Sequence, residues 1–314
     1  MTDIEIIALT GGIGGCKLAL GLQHIVAAGR LACIVNTGDD FRHLGLHVSP
    51  DLDTALYTLA GLNDPVQGWG RRDETWTFMR VLEELGAPTW FRLGDGDLAL
   101  HVERTRRLAT GESLTAIMDD VRHRYGVPTP LLPMTEAPVR TIVETDAGAL
   151  EFQDYFVRRR AEPRLHSVRY DGADAAVTTP AIDAAFASPS LRAIVMCPSN
   201  PVLSIDPLLA VPGLRSRLRA RDVPLVAVCP LIAGHAVKGP TAKIFDELRL
   251  PRTPAAVAAH YGELLDGLVI DTRDADWAER CGCPTTVTQT LMQSLDDRVH
   301  LAHATLEFAS RLRR

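Results

Sequence analysis

Ile4-Glu5-Ile6-Ile7-Ala8-Leu9-Thr10-Gly11-Gly12-Ile13-Gly14-Gly15-Cys16-Lys17 is the stretch that decides the fold. Ile4 to Leu9 reads as a short buried strand, and Lys17 to Val26 carries helical periodicity. Leu31-Ala32-Cys33-Ile34-Val35-Asn36 reads as a second buried strand. Strand, glycine turn, helix and strand make a βαβ unit, which implies a parallel sheet with right-handed crossovers. Glycine in such a turn lets backbone approach a phosphate, while the helix N-terminus offers N–H groups and a positive dipole. A tight turn without a ligand is the plainer alternative, but four glycines exceed what a turn requires. The GK[ST] ending of a P-loop is missing. Asn36 stands where a nicotinamide ribose would want an acidic residue, which argues against a nicotinamide oxidoreductase.

Outward from that unit the chain turns acidic. Thr37-Gly38-Asp39-Asp40 ends the second strand, and Ser49-Pro50-Asp51-Leu52-Asp53-Thr54 opens a helix. Asp39, Asp40, Asp51 and Asp53 therefore gather at the carboxyl edge of the sheet, where open α/β sheets bind ligands. Paired carboxylates with room for water suit Mg²⁺. Each also has an ordinary role, Asp39 and Asp40 in a turn and Asp51 in a helix cap.

Residues 71–126 have few β-branched runs and read mostly as helices with short breaks, over Glu74–Leu85, Asp97–Thr110 and Ser113–Tyr125. Arg140–Thr145 and Gly148–Phe152 suggest a hairpin. Leu191–Cys197, Pro224–Cys229 and Gly267–Asp271 read as further buried strands, the last of these preceding a mainly helical C-terminus. The expected fold is α/β: a doubly wound, mostly parallel, Rossmann-like sheet with a mainly helical insertion. Its nucleotide-binding part covers 1–70 and 130–314, and the insertion covers 71–129. Two strand-end loops carry polar groups suited to a nucleotide, Pro198-Ser199-Asn200-Pro201 and Lys238-Gly239-Pro240.

Composition excludes other classes. The formal charge is −6 with no long basic run, so nucleic acid is not an expected partner. No apolar stretch is long enough to span a bilayer, and the acidic N-terminus does not resemble a secretory signal, so a cytoplasmic location is expected. The six cysteines are scattered or one residue apart, without zinc spacing, and read as structural thiols. Neither HExxH nor GxSxG occurs.

Taken together, the ordered motifs resemble the 2-phospho-L-lactate transferases. They include Thr10 to Leu18, Val35 to Asp40, Ser49 to Tyr57, Gly68-Trp69-Gly70 with Asp73-Glu74-Thr75-Trp76, Leu93-Gly94-Asp95, and Leu132-Pro133-Met134. Phe152-Gln153-Asp154, Ser199-Asn200-Pro201 with Ser204-Ile205, and Val237-Lys238-Gly239-Pro240 complete the set. The resemblance runs from residue 5 to about residue 295. It implies transfer of a phospholactyl or phosphoenolpyruvyl group from a guanosine diphosphate donor to the deazaflavin alcohol FO. GMP is released, and coenzyme F420-0 or its dehydro form results. It further implies Mg²⁺ dependence and a homodimer. Asp40 and Asp53 are then the expected catalytic metal ligands, with Asp39 and Asp51 as second choices. The resemblance also sets Asp53 and Arg92 against the deazaflavin. Gly11, Gly12, Gly14, Gly15, Ser199, Asn200 and Lys238 face the guanosine diphosphate, and Asn36, Thr37 and Asp95 join the substrate-binding set. One departure stands out: the family commonly has arginine where this chain has Gly96. A donor derived from 3-phosphoglycerate is an alternative on that account. A non-enzymatic regulator that binds nucleotide sugars is another.

Overall fold

The computed structural model describes residues 3–237 and 239–312. The chain begins β1 (Ile6–Thr10), α1 (Gly12–Ile25) and β2 (Leu31–Val35), followed by a small hairpin of β3 (Phe41–His43) and β4 (Leu46–Val48). Next come α2 (Pro50–Leu59), α3 (Thr77–Glu84), α4 (Asp95–Ala109), α5 (Leu114–Arg124) and β5 (Leu131–Pro133). β6 (Arg140–Thr145), β7 (Gly148–Glu151) and β8 (Leu165–Asp171) form a separate antiparallel sheet. The chain continues through α6 (Pro180–Phe186), β9 (Ala193–Met196), α7 (Asp206–Ala210), α8 (Pro212–Ala220) and β10 (Leu225–Val228). The short pair β11 (Leu231–Ile232) and β12 (His235–Ala236) precedes α9 (Thr241–Glu247) and α10 (Pro254–Tyr261). β13 (Gly267–Asp271), β14 (Thr285–Thr288) and α11 (Leu295–Arg311) finish the described chain.

Seven strands make one sheet in the order β14-β13-β10-β9-β1-β2-β5, every pair parallel. The chain moves outward from β1 to β2 and β5, then returns to the other side of β1 and runs outward again. This is the expected doubly wound, Rossmann-like α/β fold, and its direction reverses between β1 and β9. At such a switch point two neighbouring loops leave in opposite directions and open a crevice.

The strands read as unbroken apolar runs because both sheet faces are covered. Ile6 and Ala8 join one core with Leu18 and Leu22 of α1, Leu52 and Leu56 of α2, and Leu301 of α11. Ile7 and Leu9, one residue out of phase, join the opposite core with Leu214 and Leu218 of α8 and Val257 of α10. The register sets Thr10 beside Val35 and Leu9 beside Met196, so the loops after β1, β2 and β9 emerge at one level.

Three details differ from expectation. Gly267–Asp271 is not the last strand, because β14 adds to the sheet edge through Thr285-Thr286-Val287-Thr288. That segment is polar and only partly buried, so it lacks the apolar run by which buried strands announce themselves. The strand expected over Gly148–Phe152 stops at Glu151, where the chain winds into a π-helical turn at Asp154–Arg158. The helix expected from Glu74 begins at Thr77, where Asp95 receives the N–H groups of Thr77 and Phe78.

Candidate active site

A cavity of about 570 Å³ opens at the switch point. Gly11, Gly12, Ile13 and Gly14 form one wall, together with Pro198, Ser199 and Asn200 from the loop after β9. These loops lock together directly. The Gly11 amide donates to Ser199 Oγ at 3.2 Å, and that hydroxyl donates to the Gly11 carbonyl at 2.8 Å. A Cβ on Gly14 would lie 2.6 Å from the Pro198 carbonyl oxygen, and one on Gly15 would lie 2.3 Å from Ser199 Oγ. Loop-to-loop packing therefore requires these two glycines, whatever ligand the cavity takes. Gly12 has φ of +63°, the left-handed region that glycine enters freely. Its amide donates to Asp51 Oδ1 at 2.7 Å, so the first turn of α1 already holds a carboxylate of its own chain.

The acidic wall stands beside this turn. Asp39, Asp51 and Asp53 line the cavity with Asp97 of α4. Asn36 is buried and bridges two of them: its Nδ2 donates to Asp39 Oδ1 at 3.1 Å and to Asp51 Oδ2 at 3.0 Å. Asp40 lies behind the wall, where Oδ2 accepts from Ser49 Oγ at 2.8 Å and faces His47 Nε2 at 3.2 Å. Its Oδ1 is buried with no hydrogen-bond partner among the described residues.

Burial pushes the Asp39 carboxyl well above the usual range, and the charges of Asp51 and Asp40 push it further. Burial likewise lifts Asp51 to about 6, against the donors Asn36 and Gly12. Asp40 is raised by burial, offset by His47 and Ser49. Carboxylates crowded in this way favour a cation or a proton.

Asp53 has a resident partner. Arg104, fully buried on α4, grips both Asp53 oxygens, with Nη1 at 3.1 Å from Oδ2. His101 Nε2 lies 3.2 Å from Asp97 Oδ2, and the Tyr57 hydroxyl donates to Asp97 Oδ1 at 2.6 Å. Burial alone would raise the Asp97 carboxyl, but His101, Tyr57 and Arg104 together hold it below its ordinary value.

Part of the cavity lining is aromatic. Trp69, Trp90, Phe91 and Arg92 belong to it, and the Arg92 guanidinium lies 4.1 Å over the Trp76 ring. Phe152 and Phe156 stack almost parallel, 5.3 Å apart, at another edge.

The chain matches the 2-phospho-L-lactate transferase CofD family over residues 6–286. The chain belongs to this family. It is 39% identical to a protein of Streptomyces griseus subsp. griseus named phosphoenolpyruvate transferase, over 99% of this chain and all of that one. It is 35% identical to a phosphoenolpyruvate transferase of a Mycobacterium species (strain JLS), over 96% of this chain and all of that one. Among solved structures, a UPF0052-family protein from Bacillus halodurans shares the fold. Its TM-score is 0.64 and its identity 17%, covering 98% of this chain and 99% of that one.

Within this transferase family fold, the residues singled out from sequence divide by position. Gly11, Gly12, Gly14, Asp39, Asp51, Asp53, Arg92, Ser199 and Asn200 lie on the cavity wall. Asn36, Thr37, Asp40 and Gly15 are buried just behind it. Asp95 caps α3 and stands off the wall, while Glu74 reciprocates by accepting from the Gly96 and Asp97 amides at 2.7 and 2.8 Å. Gly96 also stands off the wall. A Cβ there would lie 3.0 Å from Glu74 Oε1 and 3.3 Å from Arg71 Nη1, so a cation already stands beside this position. Lys238 lies outside the described residues.

Sequence reasoning missed His101 and Arg104 as site residues, weighed Asp97 only as a possible helix cap, and left Lys17 and Tyr57 unassigned to the cavity. Their signal was helical spacing. Asp97, His101 and Arg104 fall at i, i+4 and i+7 on α4, facing Asp53 and Tyr57 at i and i+4 on α2. Lys17 follows the glycine turn by one helical turn, lines the cavity and donates to the Met292 carbonyl at 3.1 Å.

Proposed function

We propose that the protein transfers a phosphoenolpyruvyl group from a guanosine diphosphate donor to the deazaflavin alcohol FO. GMP leaves, and dehydro coenzyme F420-0 forms. The observation that carries this reading is that, in a member of the family, buried carboxylates and aromatic side chains line one cavity. The relatives named phosphoenolpyruvate transferase favour enolpyruvate over lactate as the transferred acid.

The residues suit the chemistry. The Ile13 and Gly14 amides in the first turn of α1 would face the donor phosphates, and Ser199 and Asn200, bonded to Gly11 and to Thr241, Val202 and Leu203, hold the facing loop in shape. Trp90, Phe91 and Arg92 offer flat faces to a tricyclic acceptor. The attacking hydroxyl forms a P–O bond while the P–O bond to GMP breaks, and its proton passes to a nearby carboxylate or water. Catalysis of such a step is chiefly positioning and charge neutralisation.

An all-oxygen donor set fits Mg²⁺. The orphaned Asp40 Oδ1 and the mutual repulsion among Asp39, Asp40 and Asp51 are what a bound cation would relieve. Asp40 and Asp53 would hold it, with Asp39 and Asp51 as alternates, and it would supply charge neutralisation on the transferring phosphate.

The test is incubation with FO, Mg²⁺ and guanylylated enolpyruvate, lactate and 3-phosphoglycerate, read by mass spectrometry. The enolpyruvyl product with equimolar GMP is expected. Absence of FO-dependent GMP release from every donor would overturn the reading.

A further inference from the structure

Asp53, Asp97 and His101 present three ligand atoms within 4.8 Å of one another. That spacing is what a small metal ion needs, and His101 Nε2 is buried without a well-aligned hydrogen bond. Two carboxylates and an imidazole would suit Mn²⁺, Co²⁺ or Zn²⁺ better than Mg²⁺. Yet a cation is already there. Arg104 projects from α4 one turn beyond His101 and grips both Asp53 oxygens. Its Nη1 also lies 3.4 Å from His101 Nδ1. The guanidinium is wholly shielded from solvent.

We propose that Arg104 is the second cation of this site: its guanidinium takes the place of a metal ion among Asp53, Asp97 and His101, so the cavity admits one divalent ion where it would otherwise admit two. The inference rests on the divalent ion assigned under the proposed function. Displacement at phosphorus benefits from positive charge on both the attacking and the leaving oxygens, and two-metal sites supply it with a pair of ions. Arg104 does not line the cavity, so its guanidinium meets neither oxygen; it supplies a fixed positive charge behind Asp53 without being recruited from solution. It is always charged, and its planar fork holds a carboxylate at two points. Arg104 thus acts as a positioning residue on Asp53. It also blocks a site that softer ions would fill.

The experiment counts ions. Full-length protein stripped with chelator is titrated with Mn²⁺, and bound equivalents are read by electron paramagnetic resonance. Wild type should bind one, and so should His101→Asn, since the single ion does not use the imidazole. Arg104→Met should bind two, and Arg104→Met/His101→Asn should fall back to one. Circular dichroism is followed throughout. If Arg104→Met stays unfolded with Mn²⁺ present, Arg104→Gln carries the same count, because it keeps a donor to Asp53 and loses the charge. Two ions in wild type, loss of the ion in His101→Asn, or no second ion in a folded charge-removing variant would each overturn the proposal. Wild type binding no Mn²⁺ would overturn it together with the metal assignment. FO-dependent GMP release from the same samples reports separately on the transferase reading.

Discussion

Asp53 and Asp40 occupy opposite electrostatic positions, and that determines what their substitution can reveal. Asp53→Asn leaves the wholly buried Arg104 guanidinium facing a neutral amide. Breaking one partner of a buried ion pair typically costs about 3–5 kcal/mol. The variant should therefore lose both activity and stability, which makes it a poor probe of chemistry alone. Asp40 keeps one oxygen in hydrogen bonds with Ser49 and faces no buried arginine at contact distance, while its other oxygen has no partner. Asp40→Asn should lower transferase kcat by about 100-fold or more if it removes charge from a metal-assisted step. It should leave Tm within a few degrees of wild type. Thermal unfolding beside steady-state GMP release separates the two, and equal Tm losses would contradict the assignment. These carboxylates were legible in sequence because they cluster within one loop and one helix start. Arg104 was not, because it comes from a helix some fifty residues away and reads, alone, as a solvated surface arginine.

The glycine turn and its partner loop behave as one unit. A Cβ at Gly14 would meet a backbone oxygen, Pro198 O at 2.6 Å, and backbone cannot step aside as a side chain can. Gly14→Ala should separate the loops after β1 and β9, costing about 1–3 kcal/mol. It should raise KM for the guanosine diphosphate donor more than KM for FO. A larger effect on FO would place the donor elsewhere. The same loop continues through the π-helical turn Pro201–Ile205 into α7, where Asp206 pairs with His260 of α10 at 2.8 Å. Hydrogen bonding to Asp206 lifts His260 above its usual 6.5, outweighing burial. The folded state therefore binds this proton more tightly than the unfolded chain. The added stability is complete below pH 6.5 and is lost as pH rises through the folded value. The Tm difference between wild type and His260→Gln should shrink from about pH 6 to about pH 8.5, and a constant difference would sink the idea. The sequence shows Pro198-Ser199-Asn200-Pro201 as a loop after a strand. It does not show which strand lies beside β1, since that depends on the crossover back over the sheet, and so the meeting of Ser199 with Gly11 was invisible.

Over the whole molecule, one helix joins the site to the far end of the chain. α1 begins at the glycine turn and packs along α11, the last described helix, with their side chains meeting in the core under β1 and β9. The approach is close at Gly21, where an added Cβ would lie 2.1 Å from the Arg298 carbonyl oxygen. The opening helix could be read from its periodicity, but this contact could not, because a glycine in mid-helix shows no partner until the fold brings one. The two ends of α1 should then respond differently to substitution. Its N-terminal turn is held by Ser199 and Asp51, independently of α11. Gly21→Ala should push the two helices apart and destabilise the protein by about 1–3 kcal/mol, lowering Tm by roughly 2–8 °C. KM for the donor should stay within about twofold of wild type, since the glycine turn keeps its own anchors. Calorimetry and donor kinetics on the same preparation decide the matter. An unchanged Tm, or a KM that rises as it does in Gly14→Ala, would mean that α1 transmits the displacement along its full length.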